Sequence, residues 1–102
     1  MQAYKDARKV FDKMFEHNVV LWNAIIVGYA QNNHGEEALE LFHSMQISGT
    51  APNSMTMSCV IPVCARLAVL HQRKEIHSYA IRRGFASDAL VGNSLIDMYE
   101  NF

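Results

Sequence analysis

Three short polar side chains recur at one interval: Asn18, Asn53 and Asp88 lie 35 residues apart in turn. Two further amides, Asn23 and Asn93, stand 70 residues apart, each inside an apolar run, "VVLWNAIIVGYA" and "ALVGNSLIDMYE". A side-chain amide offers a donor pair and an acceptor together, the equipment for hydrogen bonding to the edge of an unpaired base. It equally suits a structural bond between adjacent helices. Asn has poor helix propensity, and a buried unpaired amide is costly, so a repeated Asn among apolar neighbours needs one reason or the other. Asn18, Asn53 and Asp88 each precede an apolar-patterned run, where helix capping accounts for them and does not exclude a second role.

Catalytic chemistry is not readable. His17, His34, His43, His71 and His77 are scattered without a carboxylate relay, and neither an HxExxH nor a CxxC pattern occurs. Cys59 and Cys64, five apart in one apolar segment, read as buried reduced thiols. They are poorly placed for a disulfide and too few for a metal site. The sequence predicts no enzyme, no metal, no cofactor and no small-molecule substrate.

The elements that must position these residues follow from the same period. The runs after Asn18, Asn53 and Asp88 align without gaps, and Gly49 in "QISGTAPN" matches Gly84 in "IRRGFASD" at the 35-residue step. A period of this length with helical patterning predicts an all-α, alpha-alpha superhelical solenoid of antiparallel helix hairpins. Trp22, Ile25, Ile26 and Tyr29 predict a first helix over 19–31, with the two rings in the core. "NNHG" breaks it, and Asn33 with Glu36 forms a candidate capping box for a second helix over 35–47. Ala38, Leu41, Phe42 and Met45 make the apolar face of that second helix, and Gly49 and Pro52 end the unit.

In the next unit Pro62 should kink or shorten the helix. Residues 66–72, "RLAVLHQ", should then join it to a helix facing inward through Ile76, Tyr79 and Ala80. Residues 1–18 read as the second helix of a preceding unit, with Ala7, Val10, Phe11 and Met14 as its apolar face. Residues 19–53 and 54–88 read as two complete units, and residues 89–102 as the first helix of another. Such an arrangement leaves Val10, Phe11, Leu95 and Ile96 without a neighbouring unit, pointing to a longer parent chain or a marginal fragment.

Composition narrows the class. The 102 residues are 50% hydrophobic and 19% charged, enough for a packed core and too mixed for a membrane span. A formal charge of −1 argues against a strongly electrostatic nucleic-acid clamp. Lys5, Arg8, Lys9 and Lys13, and Arg73, Lys74, Arg82 and Arg83, form two basic stretches; they read chiefly as solvated faces, with phosphate contact the alternative. The N-terminal stretch "MQAYKDARKVFDKM" lacks the apolar segment of a signal peptide and the acid-poor character of an organellar presequence.

The stretches "ARKVFDKMFEHNVVLWNAIIVGYAQNNHGEEALELFHSMQISGTAPN" and "KEIHSYAIRRGFASDALVGNSLIDMY" together resemble the pentatricopeptide repeat family, specifically its plant branch of alternating ordinary, long and short repeats. The resemblance covers practically the whole chain. It makes 1–18 the end of a short-type repeat, 19–53 an ordinary-type repeat, 54–88 a long-type repeat and 89–102 the truncated start of the next. Members bind single-stranded RNA in mitochondria and chloroplasts by sequence, and many of this branch select cytidines for conversion to uridine in a separate deaminase domain that is absent here.

The resemblance implies one base per repeat, read by the fifth residue of the first helix and the last residue of the repeat. That assigns Asn23 with Asn53 and Ser58 with Asp88, leaving Asn93 and Asn18 as halves of flanking pairs. It further implies that Val20, Met55 and Leu90 sandwich the bases, and that Asn with Asn favours a pyrimidine, cytosine above uracil. The expected partners are single-stranded organellar RNA and, through the parent chain, proteins of an editing complex, with no membrane. A protein-binding solenoid of the tetratricopeptide kind is the rival reading, and an inactive fragment of a larger repeat protein the third.

Overall fold

The computed structural model describes residues 3–67, 70–85 and 87–101. Six helices follow one another: α1 (Ala3–Lys13), α2 (Val19–Gln31), α3 (Gly35–Ile47), α4 (Ser54–Leu67), α5 (Leu70–Arg82) and α6 (Ala89–Asn101). No strand occurs among the described residues. Helix α2 packs on α3 as a hairpin; both lie against α4, which also contacts α5 and α6, while α1 rests on α2. The chain is an all-α arrangement of helical hairpins, with α4 at its centre.

The apolar spacing sets the core. Trp22, Ile25, Ile26 and Tyr29 of α2 meet Ala38, Leu41, Phe42 and Met45 of α3, and all are buried. Helix α4 contributes Met57, Val60, Ile61, Val63, Cys64 and Ala65, and α5 and α6 add Ile76, Ala80, Val91 and Met98. Removing this apolar area from water is the principal stabilising term, at ~25 cal/mol per Å².

Three helices end on a left-handed residue: Asn33 (φ 63°), Gly49 (φ 90°) and Gly84 (φ 81°). At Gly49 the amides of Gly49 and Thr50 bond the carbonyls of Gln46 and Met45 at 3.1 and 3.2 Å; at Gly84 those of Gly84 and Phe85 bond Ile81 and Ala80 at 3.1 and 2.9 Å. Both are Schellman motifs, which satisfy carbonyls the helix leaves unpaired. Asn33 sits at the matching place after α2, where the His34 amide bonds the Tyr29 carbonyl at 2.9 Å.

That geometry corrects the expected capping box. Asn33 closes α2 and does not cap α3, whose N-cap is His34 without a side-chain cap bond. The His34 ring instead meets Glu37 at 3.0 Å. Pro62 does not shorten its helix: α4 runs through it to Leu67. Burial of Ile61, Val63, Cys64 and Ala65 around it offsets the lost backbone bond, a penalty of ~3 kcal/mol.

At α1, Phe11 is buried after all, because His17 stacks on it at 3.8 Å between ring centroids and Trp22 meets its edge at 4.8 Å. Val10 and Ile96 are exposed, as expected, and Leu95 is half-buried. Ala68 and Val69 of the expected 66–72 connection, and the side chain of His71, lie outside the described residues.

Candidate nucleic-acid interface

Helices α2, α4 and α6 pack side by side in chain order. Each begins one residue after a capping side chain at the 35-residue step. Asn18 Oδ1 accepts the Leu21 amide at 3.0 Å, Asn53 Oδ1 the Thr56 amide at 3.1 Å, and Asp88 Oδ1 the Val91 amide at 3.1 Å. These caps fix where each helix starts, and with it the positions of the next few side chains.

The second residue of each of these helices is apolar and exposed: Val20 at 69%, Met55 at 52% and Leu90 at 46%. Val20 stands one turn before Asn23, so the two share a helix face. Exposed aliphatic groups at three equivalent positions form a row of apolar contacts available to flat, partly apolar ligands.

Between the first two of these positions lies a polar network. Asn23 is buried, at 8% exposure, and Thr56 is fully buried at 0%. Asn23 Nδ2 donates to Asn53 Oδ1 at 3.1 Å, and the Thr56 hydroxyl donates to Asn23 Oδ1. The Asn53 amide N–H in turn donates to Thr56 Oγ1 at 3.1 Å. Thus the interhelical bond weighed for Asn23 exists, and it joins Asn23 to the partner assigned by resemblance. The structural bond and the role expected from the resemblance thus fall on one pair of side chains.

The second expected pair is not brought together in this way. Ser58 Oγ donates to the Met55 carbonyl in its own helix at 2.8 Å. Asp88 Oδ2 instead accepts the Ser54 hydroxyl at 2.6 Å. That bond, with the Val91 amide, lowers the Asp88 pKa below its ordinary value. Asn93 is exposed, unlike its counterpart Asn23, and the Asn18 side chain caps α2 through the Leu21 amide. Thr56 was not singled out in the sequence. Its signal was a hydroxyl at the third position of a helix just after an Asn cap, where a capping box needs a reciprocal partner.

Charge adds little on this face. The basic residues lie on α1 and α5 or just after them: Arg8 pairs with Asp12 at 3.0 Å, and Arg83 lies over the Tyr79 ring at 5.3 Å. No group of three or more His, Cys, Asp or Glu able to hold a metal occurs among the described residues. Both cysteines are free thiols, and burial, with Glu75 nearby, pushes Cys64 up to about 11. Such a thiol is not a nucleophile near neutrality. No helix among the described residues is long and apolar enough to cross a membrane.

The profile of the PPR repeat family matches residues 17–66. A chloroplastic pentatricopeptide repeat-containing protein of Arabidopsis thaliana is 46% identical over 93 residues, covering 90% of this chain and 10% of that protein. Another from the same plant is 43% identical over 94 residues, 92% of this chain and 13% of its own length. A third, also chloroplastic, is 41% identical over 98 residues, 95% of this chain and 11% of its own length. The chain spans about a tenth of the length of these curated relatives.

Proposed function

The chain belongs to the pentatricopeptide repeat family, and on that premise we propose that it is an RNA-reading segment of an organellar RNA-processing factor. Residues 19–53 act as an ordinary-type repeat and 54–88 as a long-type repeat, flanked by parts of two short-type repeats. The observation carrying this reading is the Asn23–Asn53 amide pair, 3.1 Å apart, beside the exposed Val20 and Met55. A base slotted between those aliphatic groups meets polar atoms at its edge and apolar surface on its faces.

Asn53 is exposed, and its Nδ2 carries two donors besides the Oδ1 used in capping. Those donors suit the acceptors on the pairing edge of a pyrimidine, cytosine above uracil. Ser58 with Asp88 reads a second base less sharply, because their hydroxyl and carboxylate are engaged elsewhere. Leu90 and Asn93 continue the same row, and Asn18 closes it at the other end.

Selecting cytidines for conversion to uridine is the specific role that fits this branch, with deamination performed by another domain and editing proteins recruited through the parent chain. Chloroplastic relatives support an organelle as the site of action, chloroplast or mitochondrion. The chain contributes recognition and no chemistry of its own.

Two addressed bases at ~1–3 kcal/mol each predict weak binding by the chain alone, with Kd between ~30 mM and ~40 μM. NMR titration of the 15N-labelled chain with tetracytidylate, tetrauridylate and tetraadenylate RNA reads that range. Shifts should centre on Val20, Asn23, Asn53 and Met55 and favour the pyrimidines, and Asn23→Thr should move the preference toward adenine. Identical titrations with all three RNAs, or shifts confined to α3 and α5, would defeat the reading and favour a protein-binding solenoid.

A further inference from the structure

We infer that Thr56, which lies in the following repeat, is a positioning residue that fixes which edge of the Asn23 amide faces the base. The argument rests on the reading of Asn23 and Asn53 as base contacts, and begins from a group that cannot turn over. The Thr56 backbone amide can only donate, and it donates to Asn53 at 3.1 Å. The acceptor there must be Asn53 Oδ1, which fixes the Asn53 amide. Asn53 Oδ1 then faces Asn23 at 3.1 Å, so the Asn23 atom opposite must be the donor Nδ2. This leaves Asn23 Oδ1 facing the Thr56 hydroxyl, which supplies the proton it needs.

The hydroxyl has one proton and two neighbouring acceptors, Asn23 Oδ1 and Asn53 Oδ1, the latter at 3.0 Å. Asn53 Oδ1 already accepts from Asn23 Nδ2 and from the Thr56 amide, which fills its two lone pairs. The proton therefore goes to Asn23. Thr56 Oγ1 accepts the Asn53 N–H in return, so each atom of the ring has its partner. Turning the Asn23 amide over would set Oδ1 against Oδ1 and Nδ2 against the hydroxyl, forcing its proton off Asn23 and onto Asn53 Oδ1. Two bonds, both traceable to Thr56, hold one orientation.

What remains available on Asn23 is one Nδ2 hydrogen and one Oδ1 lone pair, in a fixed order. Base preference in the repeat 19–53 thus depends on a side chain outside that repeat. The corresponding positions in the other first helices are Leu21 and Val91, which have no hydroxyl. The device is built once in this chain.

The test uses the whole chain with Thr56→Val, which keeps the shape and removes the hydroxyl, and Thr56→Ser, which restores it. Tetracytidylate, tetrauridylate and tetraadenylate are titrated against each. Thr56→Val should lose about two- to tenfold in pyrimidine-over-adenine preference, the range set by one net hydrogen bond, while Thr56→Ser keeps the parent preference. Thr56→Val with the parent preference intact overturns the inference. A parent chain without base preference overturns the base-reading function and this inference with it. Should Thr56→Val not fold, hydrogen exchange of the Asn23 side-chain amide in the unsubstituted chain decides. One proton protected and the other exchanging freely supports a fixed orientation; equal, fast exchange of both overturns it.

Discussion

Replacing Asn23 by Ala should destabilise the chain by less than ~1 kcal/mol, although two of its hydrogen bonds are lost. The change removes the donor to Asn53 Oδ1 and the acceptor of the Thr56 hydroxyl. Asn53 is exposed, so water replaces its lost partner. Thr56 has no exposure, but its hydroxyl keeps an acceptor in Asn53 Oδ1 at 3.0 Å, where the lone pair used by Asn23 is now open. The lost net hydrogen bond costs ~1 kcal/mol, and the better helix propensity of Ala returns ~0.6 kcal/mol. In a chain of this length the net change lowers Tm by no more than roughly 4–8 °C.

A double-mutant cycle makes the reasoning sharp. Thr56→Val alone strands Asn23 Oδ1, whereas Asn23→Ala with Thr56→Val leaves neither partner to strand the other. The double variant should be about as stable as Asn23→Ala, giving a coupling energy of ~1–2 kcal/mol. Urea unfolding followed by circular dichroism, with the slope m compared across the four chains, measures it. Additive losses would refute the network as an energetic unit and reduce the contacts to neighbours that happen to be close.

Two other outcomes follow from local geometry. Gly49→Ala and Gly84→Ala each place a Cβ on a left-handed residue (φ 90° and 81°), where nothing lies within 4 Å of it; the expected loss of ~1–2 kcal/mol is purely conformational, readable as a lower urea midpoint with m unchanged. Asp88 is lowered by the Ser54 hydroxyl and the Val91 amide, so its contribution is present above the unfolded value of 3.8 and lost as pH falls through the lower folded value. Asp88→Asn keeps the capping oxygen without the charge, so its urea midpoint should fall less steeply than that of the parent as acid is added.

How much of this was legible depended on distance along the chain. Helices α2 and α3 fall at 19–31 and 35–47, where the sequence put them, because apolar spacing and strong breakers agree there. Trp22 and Tyr29 read as core for the same reason. Asn33 was misassigned because Asn suits a helix start and a left-handed helix end alike, and three residues separate the two helices. The length of α4 past Pro62 was not legible because a local rule takes no account of the burial that α4 receives from its neighbours. Phe11 found its cover in His17, a loop residue no periodicity marks. The bond between Thr56 and Asn23 spans 33 residues and two helices, and only the fold reveals it.

Asn53 caps α4, and that office restricts which side chains can hold the base contact proposed for it. The side chain that starts α4 must reach back to the Thr56 amide, a task open to Asn, Asp, Ser and Thr and closed to long or apolar residues. Any change at this position that enlarged the choice of nucleobase beyond what those four side chains can express would fray the helix beneath it. The vocabulary of such a reader is therefore small, and it is set by the grammar of helix initiation before any nucleic acid arrives.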